Sequence, residues 1–144
     1  MRFYLMGIVS LQTLSSQKDK DMENVLVAHV TKEKHVDAYL RIWNGGLQLT
    51  DRELEVVKKL ISSYQEFEGA GVQEPYLTEM LFSQKNIRKI KDDLNLSKQN
   101  WGNIKKRLKE KKVLIDGKEE DVIYFNTMLL PKEEITFKFN IKDE

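Results

Sequence analysis

The stretch that decides the fold is SQKNIRKIKDDLNLSKQNWGNIKKRLKEKKVLI, residues 83–115. It opens with Ser83, a residue type that commonly caps the first turn of a helix. Apolar side chains then recur with the spacing of one helix face, at Ile87, Ile90 and Leu94. The first part of the stretch therefore predicts an amphipathic helix that begins after Ser83.

A second helix is predicted after a short polar break. Asn95 tolerates the left-handed backbone that ends a helix, and Ser97 can cap the helix that follows. The apolar face of this second helix holds Trp101, Ile104 and Leu108. Because Trp101 shares the register of the other two, a place in the core is favoured over stacking on a base.

The opposite face of the second helix carries hydrogen-bond donors and almost no acid. Its members are Lys98, Gln99, Asn100, Asn103, Lys106 and Arg107. Long cationic side chains reach phosphate groups, whereas side-chain amides can bond to base edges. This composition is typical of a helix that lies in a DNA groove.

The charge distribution favours the same use. Residues 83–115 contain eleven Lys or Arg and three Asp or Glu, a net charge of +8. The whole chain of 144 residues carries only +1, so the remainder carries −7. One strongly basic face suits a polyanion. The alternative is a solvated helix pair that balances acidic neighbours, including an acidic partner protein.

These residues resemble the helix-turn-helix of winged-helix regulators, in particular the MarR-like pattern. In that pattern a Leu-Ser pair opens the recognition helix and a basic helix end precedes the first wing strand. Here these are Leu96-Ser97 and Lys109 to Lys112, followed by the apolar residues 113–115. Upstream, LQLTDRELEVVKKLI at 47–61 resembles the helix that buttresses such a motif. The resemblance covers about residues 47–126 and implies a winged-helix fold with DNA as its ligand.

Three positions depart from that pattern. Lys112 stands where a Gly usually precedes the first wing strand, and Asn95 stands where the turn often has Gly. Gly102 lies inside the proposed recognition helix, where a Gly costs about 1 kcal/mol relative to Ala.

The predicted fold class is α+β, with a winged helix-turn-helix core between an N-terminal β-hairpin or strand extension and a C-terminal β-strand. The three parts are residues 1–46, the winged-helix domain at 47–130, and a C-terminal strand or arm at 131–144. Near the start, residues 3–11 favour a strand over a signal peptide. The β-rich run VLVAHV at 25–30 predicts a second strand.

The element that follows this strand can be read in two ways. Between residues 36 and 43 apolar and polar side chains alternate, which favours a strand forming a hairpin with residues 25–30. A helical stripe of Val36, Tyr39, Leu40 and Trp43 is the alternative. The hairpin is the preferred prediction.

The buttressing helix has its own start and stop signals. Thr50 with Glu53 three residues later predicts a capping box at its start, and Gly69 to Gly71 should end it. Pro75 suits the first turn of a short helix that runs through Phe82.

The wing is predicted to be a hairpin of unusual charge. Asp116-Gly117 is a turn signal, and residues 122–126 supply the closing strand. Residues 119–121 are all acidic, and Lys118 is the one cation nearby. Since wings that touch DNA lie against phosphate, this one is expected to contact DNA weakly or not at all.

The C-terminal segment alternates large apolar with polar side chains, which predicts an amphipathic assembly strand. Its apolar members are Ile135, Phe137, Phe139 and Ile141. Such a strand must be covered, either by the N-terminal strands of its own chain or by a neighbouring subunit.

Several function classes find no support in the sequence. His29 and His35 are the only histidines, they lack the spacing of a helical metal pair, and there is no cysteine. No phosphate-binding Gly-rich loop and no bilayer-length apolar run occur. We expect no catalysis, cofactor, metal, small-molecule ligand or membrane partner. The lack of cysteine suits the cytoplasm.

The predicted function is therefore that of a non-enzymatic transcriptional regulator, a homo-oligomer that binds double-stranded DNA with helix 97–111 in the major groove. Its base-facing residues are Lys98, Gln99, Asn100 and Asn103. Its phosphate-facing residues are Lys85, Lys89, Lys105, Lys106, Arg107 and Lys111. The alternative is a structural component of a larger assembly, for example a bacteriophage particle, in which the terminal strands dock on neighbouring subunits. It would place the chain in a virion.

Overall fold

Helices and two small antiparallel hairpins make up the computed structural model, which describes residues 8–14, 25–119, 121–136 and 139–143. In the described residues the N-terminal hairpin is followed by a 3-10 turn (Lys32–Lys34), five α-helices, a second hairpin and another 3-10 turn (Thr127–Leu129). In chain order the elements are β1 (Ile8–Leu14), β2 (Val25–Val30), α1 (His35–Leu47), α2 (Asp51–Gly69), α3 (Tyr76–Leu81), α4 (Gln84–Asp93), α5 (Lys98–Glu110), β3 (Leu114–Asp116) and β4 (Ile123–Phe125). The α+β class is confirmed at this level.

Among the described residues, β1 pairs only with β2 and β3 pairs only with β4. In the N-terminal hairpin Leu14 of β1 lies opposite Val25 of β2, and in the second hairpin Leu114 lies opposite Phe125. The strand predicted at residues 3–11 is therefore found in part, as β1. Residues 1–7 lie outside the described part of the chain.

The strand preferred for residues 36–43 is wrong, because these residues belong to α1. Leu40 and Tyr39 are buried, and Val36 and Trp43 pack against the core beside them. The Tyr39 hydroxyl donates a hydrogen bond of 2.8 Å to the carbonyl of Met128. The helical stripe thus gains burial on one side, and this tertiary packing outweighs the local alternation. The partner of β2 is β1, which precedes it in the chain.

The predicted helix starts are confirmed in detail. The Thr50 hydroxyl accepts a hydrogen bond from the Glu53 amide at 3.2 Å and donates one to the Glu53 carboxylate at 3.0 Å. Ser83 caps α4 and Ser97 caps α5, each by accepting from the amide three residues on. A short polar side chain before each apolar stripe is therefore sufficient to set where these helices begin.

Three helices end in the same way, with one left-handed residue and a hydrogen bond that spans five residues. The left-handed residues are Gly71 after α2, Asn95 after α4 and Lys112 after α5, with φ values of 88°, 53° and 64°. In each case the amide of the next residue donates to a carbonyl five residues back. The pairs are Val72 to Phe67 at 3.0 Å, Leu96 to Lys91 at 2.8 Å and Val113 to Leu108 at 2.9 Å. This is the Schellman arrangement, and it sets the tight turn between α4 and α5.

The core is built around α2. Val56, Val57, Leu60 and Ile61 on this helix are completely buried. They belong to one cluster with the inward residues of the other elements: Leu81, Ile90, Ile104, Leu108, Leu114 and Phe125. Helices α4 and α5 therefore pack against the core through their apolar faces, and their opposite faces are exposed to solvent.

The strand predicted near the C-terminus is not found. Residues 131–136 and 139–143 contain no strand or helix, and Phe137 lies outside the described residues. Ile135 is half-buried, whereas Phe139 is 79% and Ile141 90% exposed. An alternating pattern forms a strand only where its backbone finds a ladder to join, and the described strands pair within their own hairpins.

Within the described ranges, no helix combines the length and apolar character that a membrane span requires.

Candidate nucleic-acid interface

Helix α5 has two sharply different faces. Ile104 and Leu108 are buried in the core, and Trp101 is half-buried against it, which confirms the core position predicted for Trp101. At 3.6 residues per turn, the opposite face is the stripe formed by Gln99, Gly102, Asn103 and Lys106, and all four residues are exposed. The helix is fixed through its apolar side, so its polar side is presented to solvent.

The four side chains predicted to face bases are all exposed at the start and middle of α5. They are Lys98, Gln99, Asn100 and Asn103. The backbone amide of Asn100 is used by the Ser97 cap. In the described part of the chain, by contrast, no protein group is hydrogen-bonded to any of the four side chains. Their donors and acceptors remain available to a ligand.

The predicted phosphate-facing residues divide into two groups. Lys85 and Lys89 on α4 and Lys106 on α5 are exposed, and Lys105 is half-buried. Among the described residues, none of these four ammonium groups has a carboxylate within 4.0 Å. These four ammonium groups therefore form no direct ion pair with the described part of the protein.

Arg107 and Lys111 form the second group, because both bind the carboxylate of Glu53. Lys111 Nζ lies 2.5 Å from Glu53 Oε1, and Arg107 Nε lies 3.4 Å from Glu53 Oε2. Lys111 also donates a hydrogen bond of 2.9 Å to the carbonyl of Gln48. The Arg107 side chain remains 47% exposed and that of Lys111 27% exposed. Lys111 is thus the more buried of the two and is held by two protein groups, whereas Arg107 is largely at the surface.

The capping role predicted for Glu53 is only part of its role, because its carboxylate also binds Lys111 and Arg107 at the end of α5. The Glu53 side chain is 0% exposed. Burial raises the pKa of this carboxyl, but hydrogen bonds from Lys111 and Thr50 and the charge of Lys111 outweigh it, so the pKa lies below the ordinary 4.5. Glu53 precedes Val56, Val57 and Leu60 with the spacing of one helix face. This spacing is the sequence signal that indicates burial of Glu53.

An open groove of about 620 Å³ runs along the exposed side of α4. Its lining residues are Gln84, Lys85, Arg88, Lys89, Asp92 and Asp93. Asp93 Oδ2 lies 3.3 Å from Lys59 Nζ on α2, at the surface. The groove is therefore cationic at the start of α4 and acidic at its end, and Lys85 and Lys89 lie at the cationic part.

Helix α4 and the turn that follows it are each fastened to α2 by a further contact. The guanidinium of Arg52 donates to the carbonyl of Leu94 and pairs with Glu55 at 2.8 Å. Deeper in the core, the Ser63 hydroxyl donates to the Asn86 side-chain oxygen at 3.2 Å, and Asn86 Nδ2 donates to the Leu81 carbonyl at 2.8 Å. These contacts fix how α4 leads into α5.

The β3–β4 hairpin next to α5 has an acidic end. Asp116, Glu119 and Asp121 are exposed, and Asp116 pairs with Lys109 of α5 at 2.9 Å. The acidic character of this hairpin agrees with the expectation from the sequence. Glu120 lies outside the described residues. The hairpin also exposes an apolar cross-strand pair, Ile115 and Tyr124.

Within the described residues, no group of three or more His, Asp or Glu side chains is arranged to hold a metal ion. Comparison of the chain with protein-family models, with curated proteins and with solved structures finds no match.

Proposed function

We propose that this chain is a non-enzymatic winged-helix protein of the MarR-like kind, which binds double-stranded DNA with α5 in the major groove. In this proposal α4 and α5 form the helix-turn-helix, and the β3–β4 hairpin is the wing. The protein acts as a transcriptional regulator in the cytoplasm, as a dimer on a two-fold site.

The observation that supports the proposal most directly is that α5 is amphipathic, with one buried apolar face and one exposed polar face. Its apolar residues are buried, and its four predicted base-facing side chains are exposed without described protein partners. A ligand that suits this face must accept many hydrogen bonds and carry negative charge. The edges of base pairs and the flanking phosphates offer both.

The size and support of the helix fit the same ligand. Thirteen residues make a helix about 20 Å long, and a B-DNA major groove about 12 Å wide admits one helix. Lys85 and Lys89 are exposed on the first turns of α4, and in this proposal they contact the DNA backbone. The acidic end of the hairpin is repelled by phosphate, so the wing has little part in binding.

The test is binding of the purified chain to a random-sequence duplex over a salt series, with its solution mass measured alongside. With four or five phosphate contacts, log K should fall with log salt with a slope of about −4. Micromolar or tighter binding at low salt with such a slope supports the proposal. No binding at low salt overturns it.

The exposed C-terminal arm favours a second candidate, a structural role in a larger assembly such as a bacteriophage particle. Phe139 and Ile141 are 79% and 90% exposed, and the carbonyl of Lys132, near the start of the arm, lies 3.0 Å from His35 Nε2 on α1. Deletion of residues 133–144 keeps that contact. In an assembly role the truncated monomer should fold normally but not assemble, whereas truncated chains that assemble normally would exclude it.

A further inference from the structure

Gly102 is the one residue on the outward stripe of α5 that has no side chain. It lies in the helix interior between Gln99 and Asn103, and it is exposed. A glycine in a helix interior destabilises the helix relative to alanine, because it leaves the unfolded backbone more freedom. An exposed glycine on this stripe therefore leaves a gap in the helix surface at some cost in helix stability.

The described part of the fold does not require glycine at this position. A Cβ atom added at Gly102 would meet no atom within 4 Å, and the residue does not have a left-handed φ. Two other glycines show what an internal reason looks like. Gly71 has a φ of 88°, and a Cβ on Gly117 would lie 2.8 Å from a ring carbon of Tyr124. Alanine would fit at Gly102, as it would at Gly45, Gly46 and Gly69. What sets Gly102 apart from these glycines is its place on the outward stripe of α5.

The neighbours of Gly102 indicate what approaches it. Gln99 and Asn103 lie beside it and Lys106 one turn further on, so a gap in the helix surface is surrounded by hydrogen-bond donors. A partner that enters this gap comes close to the helix backbone while the flanking amides bond to it. A side chain at position 102 would hold the partner away from them.

We propose that Gly102 is the point of closest approach between α5 and the DNA, and that it is a specificity-determining position. This inference rests on the proposed function. Without a Cβ the helix can lie deep enough in the groove for Gln99 and Asn103 to reach base edges. Hydrogen bonds to bases need donor–acceptor distances of about 3 Å, so displacement by one methyl group is sufficient to break them.

The experiment compares the wild type with Gly102→Ala and Gly102→Gln on two duplexes. One is a duplex selected by the wild type from a random-sequence pool, and the other is a random duplex. Affinity for the selected duplex should fall about tenfold with Ala and further with Gln, since bidentate base contacts are lost. Affinity for the random duplex, which depends on phosphate contacts, should change less than about threefold.

The matched control is Gly45→Ala. Gly45 is exposed in α1, and a Cβ there would also meet no atom within 4 Å. Both alanine variants should raise the melting temperature by about 2–4 °C, but Gly45→Ala should bind both duplexes as the wild type does. Opposite effects of Gly102→Ala on stability and on affinity are the signature of a residue retained for its ligand.

The possible failures are distinct. If the wild type binds no DNA, the proposed function and this inference are both overturned. If the wild type selects a duplex and Gly102→Ala binds it equally well, only the role of Gly102 is overturned. A lower melting temperature for Gly102→Ala would also overturn it, because the glycine would then be required by the fold.

Discussion

Lys111 at the end of α5 binds Glu53 in the first turn of α2 with its ammonium nitrogen 2.5 Å from a carboxylate oxygen that is completely buried. The two residues are 58 positions apart in sequence. The contact joins the end of the proposed recognition helix to the helix that supports it. It also removes one cation, and part of the charge of Arg107, from the basic face.

Replacing this buried carboxylate should be costly. Glu53→Gln keeps the shape but leaves Lys111 without its counter-charge, and we expect a loss of about 3 kcal/mol in the free energy of unfolding. Urea denaturation measures it. The control is Glu55→Gln in the same helix, whose exposed pair with Arg52 is worth at most about 1 kcal/mol. Equal losses in the two variants would contradict a structural role for Glu53.

The same residue should make stability depend on pH. The pKa of Glu53 is lowered in the folded protein from its ordinary 4.5, so the unfolded chain takes up a proton at a higher pH than the folded chain. The stabilisation is complete above the unfolded pKa and is lost as pH falls through the folded pKa. Unfolding measured between pH 7 and pH 3 should therefore show a shallower acid loss for Glu53→Gln than for the wild type. If the free energy of unfolding fell equally with pH in the wild type and in Glu53→Gln, Glu53 would not be the cause of the pH dependence.

Lys112 should be a site where a single substitution stabilises the protein. It has a φ of 64° at the end of α5, a conformation that costs a residue with a Cβ about 1 kcal/mol and glycine almost nothing. Lys112→Gly should raise the free energy of unfolding by about 0.5–1 kcal/mol. Lys112→Ala is the control, because it removes the charge and keeps the strain. A gain of equal size in both variants would assign the effect to charge.

Two substitutions on α5 should separate base contacts from phosphate contacts. Asn100→Ala should cost about 1–3 kcal/mol on a selected duplex and relax its sequence preference. Lys106→Ala should weaken binding to all duplexes similarly and reduce the salt slope by about one unit. Both side chains are exposed, so neither change should alter the melting temperature by more than a degree or two. If both variants changed affinity, sequence preference and salt slope in the same way, α5 would not be bound in a major groove as proposed.

The features that could be predicted from the sequence are those with a local cause. Ser97 caps α5 and Asn95 ends α4 because each residue acts on backbone groups within a few positions of itself. Helix α1 was mistaken for a strand because its stripe is stabilised by distant packing, including the bond from Tyr39 to Met128. The pair of Glu53 and Lys111 likewise depends on how α2 and α5 are brought together.

The contacts from α2 to α4 and to the turn before α5 have a consequence for how the protein opens. Ser63 reaches Asn86, Lys59 reaches Asp93, and Arg52 reaches the Leu94 carbonyl. Because all three contacts originate on α2, α4 and the turn that follows it cannot separate together from that helix without breaking them. Slow amide hydrogen exchange should therefore be shared by α2, α4 and the turn after α4, which would open together as one cooperative unit.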